Sequence, residues 1–123
     1  DGDGREYNDG WTGYTWNKEL FPDYKAFLKG LHDRNLKTAL NLHPANGIRY
    51  WEEMYPEMCE AMGVDPASKK QIGFDCLNPE FLDKYFEILH FPYEKDGVDF
   101  WWMDWQQGLD YGWIHYLQDD KSY

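Results

Sequence analysis

The sequence predicts an α/β fold, a parallel sheet with helices laid against it, and three observations carry that expectation. Val98-Asp99-Phe100-Trp101-Trp102-Met103 is a largely apolar run of the kind expected of a strand buried on both faces, and it ends abruptly on Asp104. Residues 23–42 read as helix, short turn, strand, the αβ half of a βαβ unit. Polar groups cluster at the carboxyl ends of both strand candidates, Asn41 and His43 after the first and Asp104 after the second. In a (β/α)8 barrel those ends carry the chemistry. A complete barrel needs about 250 residues, and this chain has 123. Its polar opening, Asp1-Gly2-Asp3-Gly4-Arg5, has no methionine start and no signal-peptide pattern. The expectation is therefore part of a TIM barrel, one piece of a single catalytic barrel domain over residues 1–123, with the remainder of the barrel as its partner.

Each element follows from local pattern. Residues 1–22, with glycines at 2, 4, 10 and 13, read as a loop that carries the aromatic run Trp11-Thr12-Gly13-Tyr14-Thr15-Trp16-Asn17. Asp23 is placed to cap a helix whose apolar face is Tyr24, Phe27, Leu28 and Leu31, and Asn35 suits a left-handed stop. Residues 36–42 alternate apolar with polar or small side chains as a strand does, ending at His43-Pro44. Asn41 and His43 lie two apart and would share one face of an extended strand. For His43, a ligand contact and a bond to a backbone carbonyl below the site are equally open. The stripe Ile48, Trp51, Met54, Tyr55, Met58, Met62 predicts helix that either restarts or kinks where Pro56 interrupts it and ends at Gly63-Val64-Asp65-Pro66. The three methionines of that stripe read as core filler. Residues 67–73 read as a surface loop. Asn78 suits an N-cap and Pro79 the first helical position of a helix through Phe81, Leu82, Tyr85, Phe86 and Leu89, which Pro92 is expected to halt. The strand to Met103 follows. The tail after Gly108 is aromatic and polar, a loop or helix start.

Composition narrows the function classes. The formal net charge is −11, and the Lys and Arg clusters that phosphates demand are missing, which argues against nucleic acid. No apolar stretch approaches the roughly 18 residues of a membrane span. Cys59 and Cys76 have no CxxC spacing, and the four histidines show neither HExxH nor i,i+4 pairing, so free thiols, no metal and no cofactor are expected. Low cysteine use fits a reducing compartment. Ser68 and Ser122 sit outside any GxSxG arrangement, and phosphate-loop and dinucleotide fingerprints are missing.

Aromatic residues make up 20% of the chain, with 7 Trp and 10 Tyr, more than a core of this size requires. Any one of them taken alone is best read as core. Clustered beside Asp, Asn, Gln and His, as around Trp11-Tyr14-Trp16 and Trp101-Trp105, they suit sugars, whose C–H faces pack on rings while hydroxyls bond to polar neighbours. Retaining hydrolysis of a glycoside needs one carboxylate to attack the anomeric carbon and a second, protonated carboxyl to assist the leaving oxygen. Asp104 is the candidate for the first, with Gln106, Gln107 or indole N–H groups as donors that would keep it ionised. Asp1, Asp3, Asp9 and Asp110 offer no convincing second.

The segments Trp11-Thr12-Gly13-Tyr14-Thr15-Trp16-Asn17, Glu19-Leu20-Phe21-Pro22-Asp23, Asn41-Leu42-His43-Pro44, Phe74-Asp75 and residues 98–108 together resemble glycoside hydrolase family 31 over nearly the whole chain. The resemblance implies a retaining α-glycosidase with a (β/α)8 catalytic barrel, whose nucleophilic Asp stands in a Trp-x-Asp motif ending the fourth strand. Trp102-Met103-Asp104 matches that motif. By the same likeness residues 36–42 resemble the third strand, the residues before Trp11 the loop after the second, and the chain spans about strands 2 to 4. Trp11, Asn41, His43, Trp102, Trp105 and Gln106 would line the sugar site. Many α-glucosidases of the family carry Asn-Glu after the nucleophile. Here Trp105-Gln106-Gln107 stands instead, similar to a divergent branch that includes α-galactosidase-type and α-N-acetylgalactosaminidase-type members. The family's acid/base Asp comes from a later strand, beyond Tyr123. The function expected is α-glucosidase-like cleavage of terminal α-linked sugars from an oligosaccharide or glycoside, through a covalent glycosyl-Asp intermediate. The alternatives are an α-galactosidase or α-N-acetylgalactosaminidase, or, from a different class, a non-catalytic carbohydrate-binding module or inert structural fragment.

Overall fold

A computed structural model describes residues 12–104. Two short strands, β1 (Ala39–Leu42) and β2 (Phe100–Met103), pair in parallel with Asn41 opposite Trp102 and Leu42 opposite Met103. Helix α1 (Tyr24–Asp33) precedes β1; α2 (Tyr55–Met62), α3 (Pro79–Tyr85) and α4 (Phe91–Asp96) lie between the strands in sequence. Parallel neighbours joined through helices are what an α/β sheet requires.

The helices start where local chemistry dictates. The Asp23 carboxylate accepts the Ala26 N–H at 2.9 Å, and Asn35 closes the turn after α1 at φ 57°. Asn78 accepts from Glu80 N and Phe81 N, with Pro79 in the first turn, where its missing N–H costs nothing.

Four expectations need correction. The first strand is shorter than 36–42, beginning at Ala39. The stripe is helical only from Tyr55: Pro56 does not kink a helix but stands in the first turn of α2, where a helix starts, and Gly63 ends it at φ 68°. Residues 67–73 are not all surface loop: Ile72 is buried and forms an antiparallel bridge with Ile48. Pro92 does not halt the third helix. A turn of π-helix, Phe86–His90, joins α3 to α4, with the Phe91 N–H donating to the Phe86 carbonyl five residues back. Pro92 thus lands in the first turn of α4, where no donor is missed.

The core lies between the sheet and the helices. One cluster gathers Tyr14, Leu42, Ile48, Met58, Phe81, Tyr85 and Leu89; a second holds Leu28, Tyr93 and Val98, with Leu40 packed on it, and Trp101 touches both. Met58 is fully buried with Met54 and Met62 packed beside it, so the methionines do fill the core. Cys59 is buried and Cys76 half-buried, both free thiols.

Strand β2 departs from the doubly buried strand read from its sequence. Leu40, Leu42 and Trp101 face the helices. Side chains alternate along a strand, so Phe100 and Trp102 point the other way and are 57% and 63% exposed. Among the described residues nothing covers that face. No described helix is long and apolar enough to cross a membrane.

Candidate active site

The carboxyl end of β1 meets the loop of residues 12–17, and the contacts explain the loop's glycine. Gly13 lies at φ 89°, and a Cβ there would stand 2.5 Å from the Asn41 carbonyl oxygen. Only glycine fits both demands. On either side the loop is anchored: the His43 N–H donates to the Thr12 carbonyl at 3.2 Å, and the Tyr93 hydroxyl donates to the Tyr14 carbonyl at 2.9 Å. The buried Tyr14 ring packs edge-on against Tyr85, with their hydroxyls 2.7 Å apart. Burial first, then the neighbouring Tyr85, pushes the Tyr14 phenol far above its ordinary range, so both phenols stay neutral.

The same loop encloses a carboxylate that periodicity did not single out. Glu52 is 4% exposed and accepts from the hydroxyls of Thr12 and Thr15. The Thr15 hydroxyl oxygen in turn accepts the Glu53 N–H at 2.9 Å. Arg49, also buried, donates from Nε to the Asn46 carbonyl at 2.7 Å and lies over the Trp51 ring. A buried charge persists only when paired or hydrogen-bonded, and here hydroxyls of a sequence-distant loop are among the groups that bond to Glu52.

Asp104 follows β2. Its N–H donates to the Leu42 carbonyl at 2.8 Å, continuing the ladder, and its Oδ2 accepts from Asn41 Nδ2 at 3.2 Å. Asn41, Trp102 and Asp104 thus share the open face of the sheet, as a period of two demands. Asn41 is a donor to Asp104; Gln106 and Gln107, expected in that role, lie outside the described residues, as do Trp11 and Trp105. The His43 side chain is buried just beyond β1, while Asn41 is exposed. The sharing of a face expected for this pair does not give them equal access.

Beside Asn41 opens a cleft of about 130 Å³ walled by Tyr14, Trp16, Phe21, Leu40 and Tyr93. Trp16 stacks on Tyr24 at 5.0 Å, and its buried indole N–H has no hydrogen-bond partner among the described residues. The arrangement presents an acceptor carboxylate on an open sheet face, with a backbone ladder bond and the Asn41 amide among its contacts.

The model of the glycosyl hydrolases family 31 TIM-barrel domain matches residues 4–120. A search of curated proteins finds no match. The chain belongs to glycoside hydrolase family 31.

Proposed function

From membership of glycoside hydrolase family 31, we propose that this chain is a portion of the catalytic barrel of a retaining α-glycosidase and that Asp104 is its nucleophile. The observation that carries the reading is the position of Asp104: the carboxyl end of a parallel strand, on the open face, oriented by Asn41. Strands β1 and β2 are taken as the third and fourth of the barrel, with residues 1–123 one piece of a single domain.

The chemistry follows from that placement. A carboxylate oxygen of Asp104 attacks the anomeric carbon, and the bond to the aglycone oxygen breaks as that oxygen takes a proton from an acid on a later strand. Water then cleaves the glycosyl ester, giving its proton back to the same residue and freeing Asp104. The exposed Trp102 ring beside Asp104 offers a flat face to the sugar, and Trp11, Trp105, Gln106 and His43 are assigned to the rest of the sugar site, while Asn41 touches Asp104 itself. Terminal α-glucosides are the first substrate class, with α-galactosides and α-N-acetylgalactosaminides next because of Trp105-Gln106-Gln107.

The test is Asp104→Asn in the full-length protein, assayed on a panel of nitrophenyl α-glycosides. Loss of turnover by about 10⁴-fold or more, with an unchanged melting temperature, is expected of a lost nucleophile. Unimpaired kcat excludes the role. Sugar binding by calorimetry with no turnover in the wild type would instead mark a binding module.

A further inference from the structure

We propose that Asn41 is a positioning residue for Asp104, acting on the reaction through the carboxylate rather than through the sugar. The inference rests on the reading of Asp104 as nucleophile and adds the device that aims it.

Three observations converge. Asn41 sits in the middle of a four-residue strand, a place where Asn is a poor choice on local grounds. Such a local mismatch is expected where function overrides propensity. Its register partner is Trp102, so Asp104, two residues further along β2, returns to the same face within reach of a short side chain. Neighbouring strands lie about 4.8 Å apart, and Asn spans that gap to place Nδ2 3.2 Å from Oδ2 of Asp104.

The rest of the geometry makes this contact directional. The ladder bond from Asp104 N to the Leu42 carbonyl at 2.8 Å fixes the main chain, and the amide then restrains the carboxylate's rotation. The Asn amide donates at every pH and carries no charge, so it orients the carboxylate without adding a full countercharge that would blunt its attack. The Asn41 main chain is itself braced from behind, since Gly13 closes on its carbonyl so tightly that no Cβ fits. Asn41 and Trp16 also line the same cleft, which joins the loop to β1 at this point.

The experiment compares Asn41→Ala and Asn41→Asp with wild type and with Asp104→Asn, all in the full-length protein. Removing a hydrogen bond to a charged group is expected to lower kcat by about 10- to 100-fold while KM stays within about threefold. Asp keeps the shape of Asn but at neutral pH places a second carboxylate against Asp104, so Asn41→Asp is expected to be slower than Asn41→Ala. As the pH falls and the pair takes up a proton, the new carboxyl can donate as the amide did. The rate of Asn41→Asp relative to wild type then rises, whereas that of Asn41→Ala stays flat. A purely structural Asn41 predicts the reverse order, Asp better than Ala, with no recovery in acid. A raised KM with unchanged kcat would make Asn41 a sugar ligand and overturn the proposal. Asn41 variants with wild-type kinetics beside an inactive Asp104→Asn would overturn this inference alone. An active Asp104→Asn would instead remove the reading on which it rests.

Discussion

The two ends of β2 each carry an aspartate, and the protein treats them in opposite ways. Asp99, just before the strand, accepts the Thr38 N–H at 2.9 Å and His32 Nε2 at 2.8 Å, with the Lys37 ammonium 3.8 Å away. The Thr38 backbone bond first, and the histidine second, hold its carboxyl below the usual carboxylate range. It ties α1 to the sheet. Asp104, just after the strand, extends the ladder through its N–H, accepts the neutral Asn41 amide, and faces the open side. The difference matches the division of labour in α/β barrels, where the amino ends of the strands serve stability and the carboxyl ends serve chemistry. Under the reading of Asp104 as nucleophile, one strand of four residues displays both.

Gly13→Ala should give the largest stability effect and should fall on the carboxyl end. A methyl group at φ 89°, 2.5 Å from a backbone oxygen, forces the loop off β1. Strain and overpacking together are expected to cost about 2–4 kcal/mol, read as a lowered denaturation midpoint. Activity should fall as well, because the Asn41 carbonyl and its side chain move together. If activity survives intact in the folded variant, the loop does not brace the site.

Asp99→Asn sharpens the contrast from the other end. It should lower stability at neutral pH while leaving kcat and KM unchanged, the opposite of Asp104→Asn. The sign of its pH dependence follows from the depressed carboxyl. Asp99 contributes stability above its unfolded value, about 3.9, and loses it as the pH falls through the lower folded value. The gap between wild type and variant is therefore constant near pH 7 and closes in acid, as urea melts at a series of pH values would show. A kcat defect in Asp99→Asn would mean that the two ends are not separable.

What was legible in the sequence was the chemistry that acts over a few residues. Asp23 and Asn78 cap helices because their carboxylate and amide reach N–H groups two or three positions on, and Asn35 turns the chain because it tolerates positive φ. The end of β2 at Asp104 was readable for the same reason. The pairing of Asn41 with Asp104 was not, since it needs the register between two strands whose partners lie 61 residues apart, and periodicity places each residue on a face without saying which residue stands opposite. Glu52 escaped notice because its environment is made by Thr12 and Thr15, polar residues in a glycine-rich loop. Pro92 misled in a different way. A proline ends a helix only if its missing donor is needed, and the π-turn at Phe86–His90 removes that need.

That π-turn also carries the smallest expected effect at neutral pH, and it belongs to neither end of β2. His90 is buried between the rings of Tyr85, Phe86 and Trp101, with centroids 4.8, 5.0 and 4.4 Å away, and its Nε2 has no hydrogen-bond partner among the described residues. Burial pulls its imidazole down to about 4, so it is neutral in the folded protein at pH 7. An unfolded histidine titrates near 6.5. Between about 6.5 and 4 the unfolded chain binds a proton that the folded chain refuses, and stability must fall as the pH falls through that window. His90→Phe keeps a ring against Trp101 and removes the titrating group. At pH 7 the change in stability should stay within about 1.5 kcal/mol, and on going to pH 5 the variant should lose less stability than wild type. Asp99 acts only below this window, so the two slopes separate in one set of pH-dependent melts. Parallel curves for His90→Phe and wild type from pH 7 to 5 would show that the aromatic cage admits the charged ring.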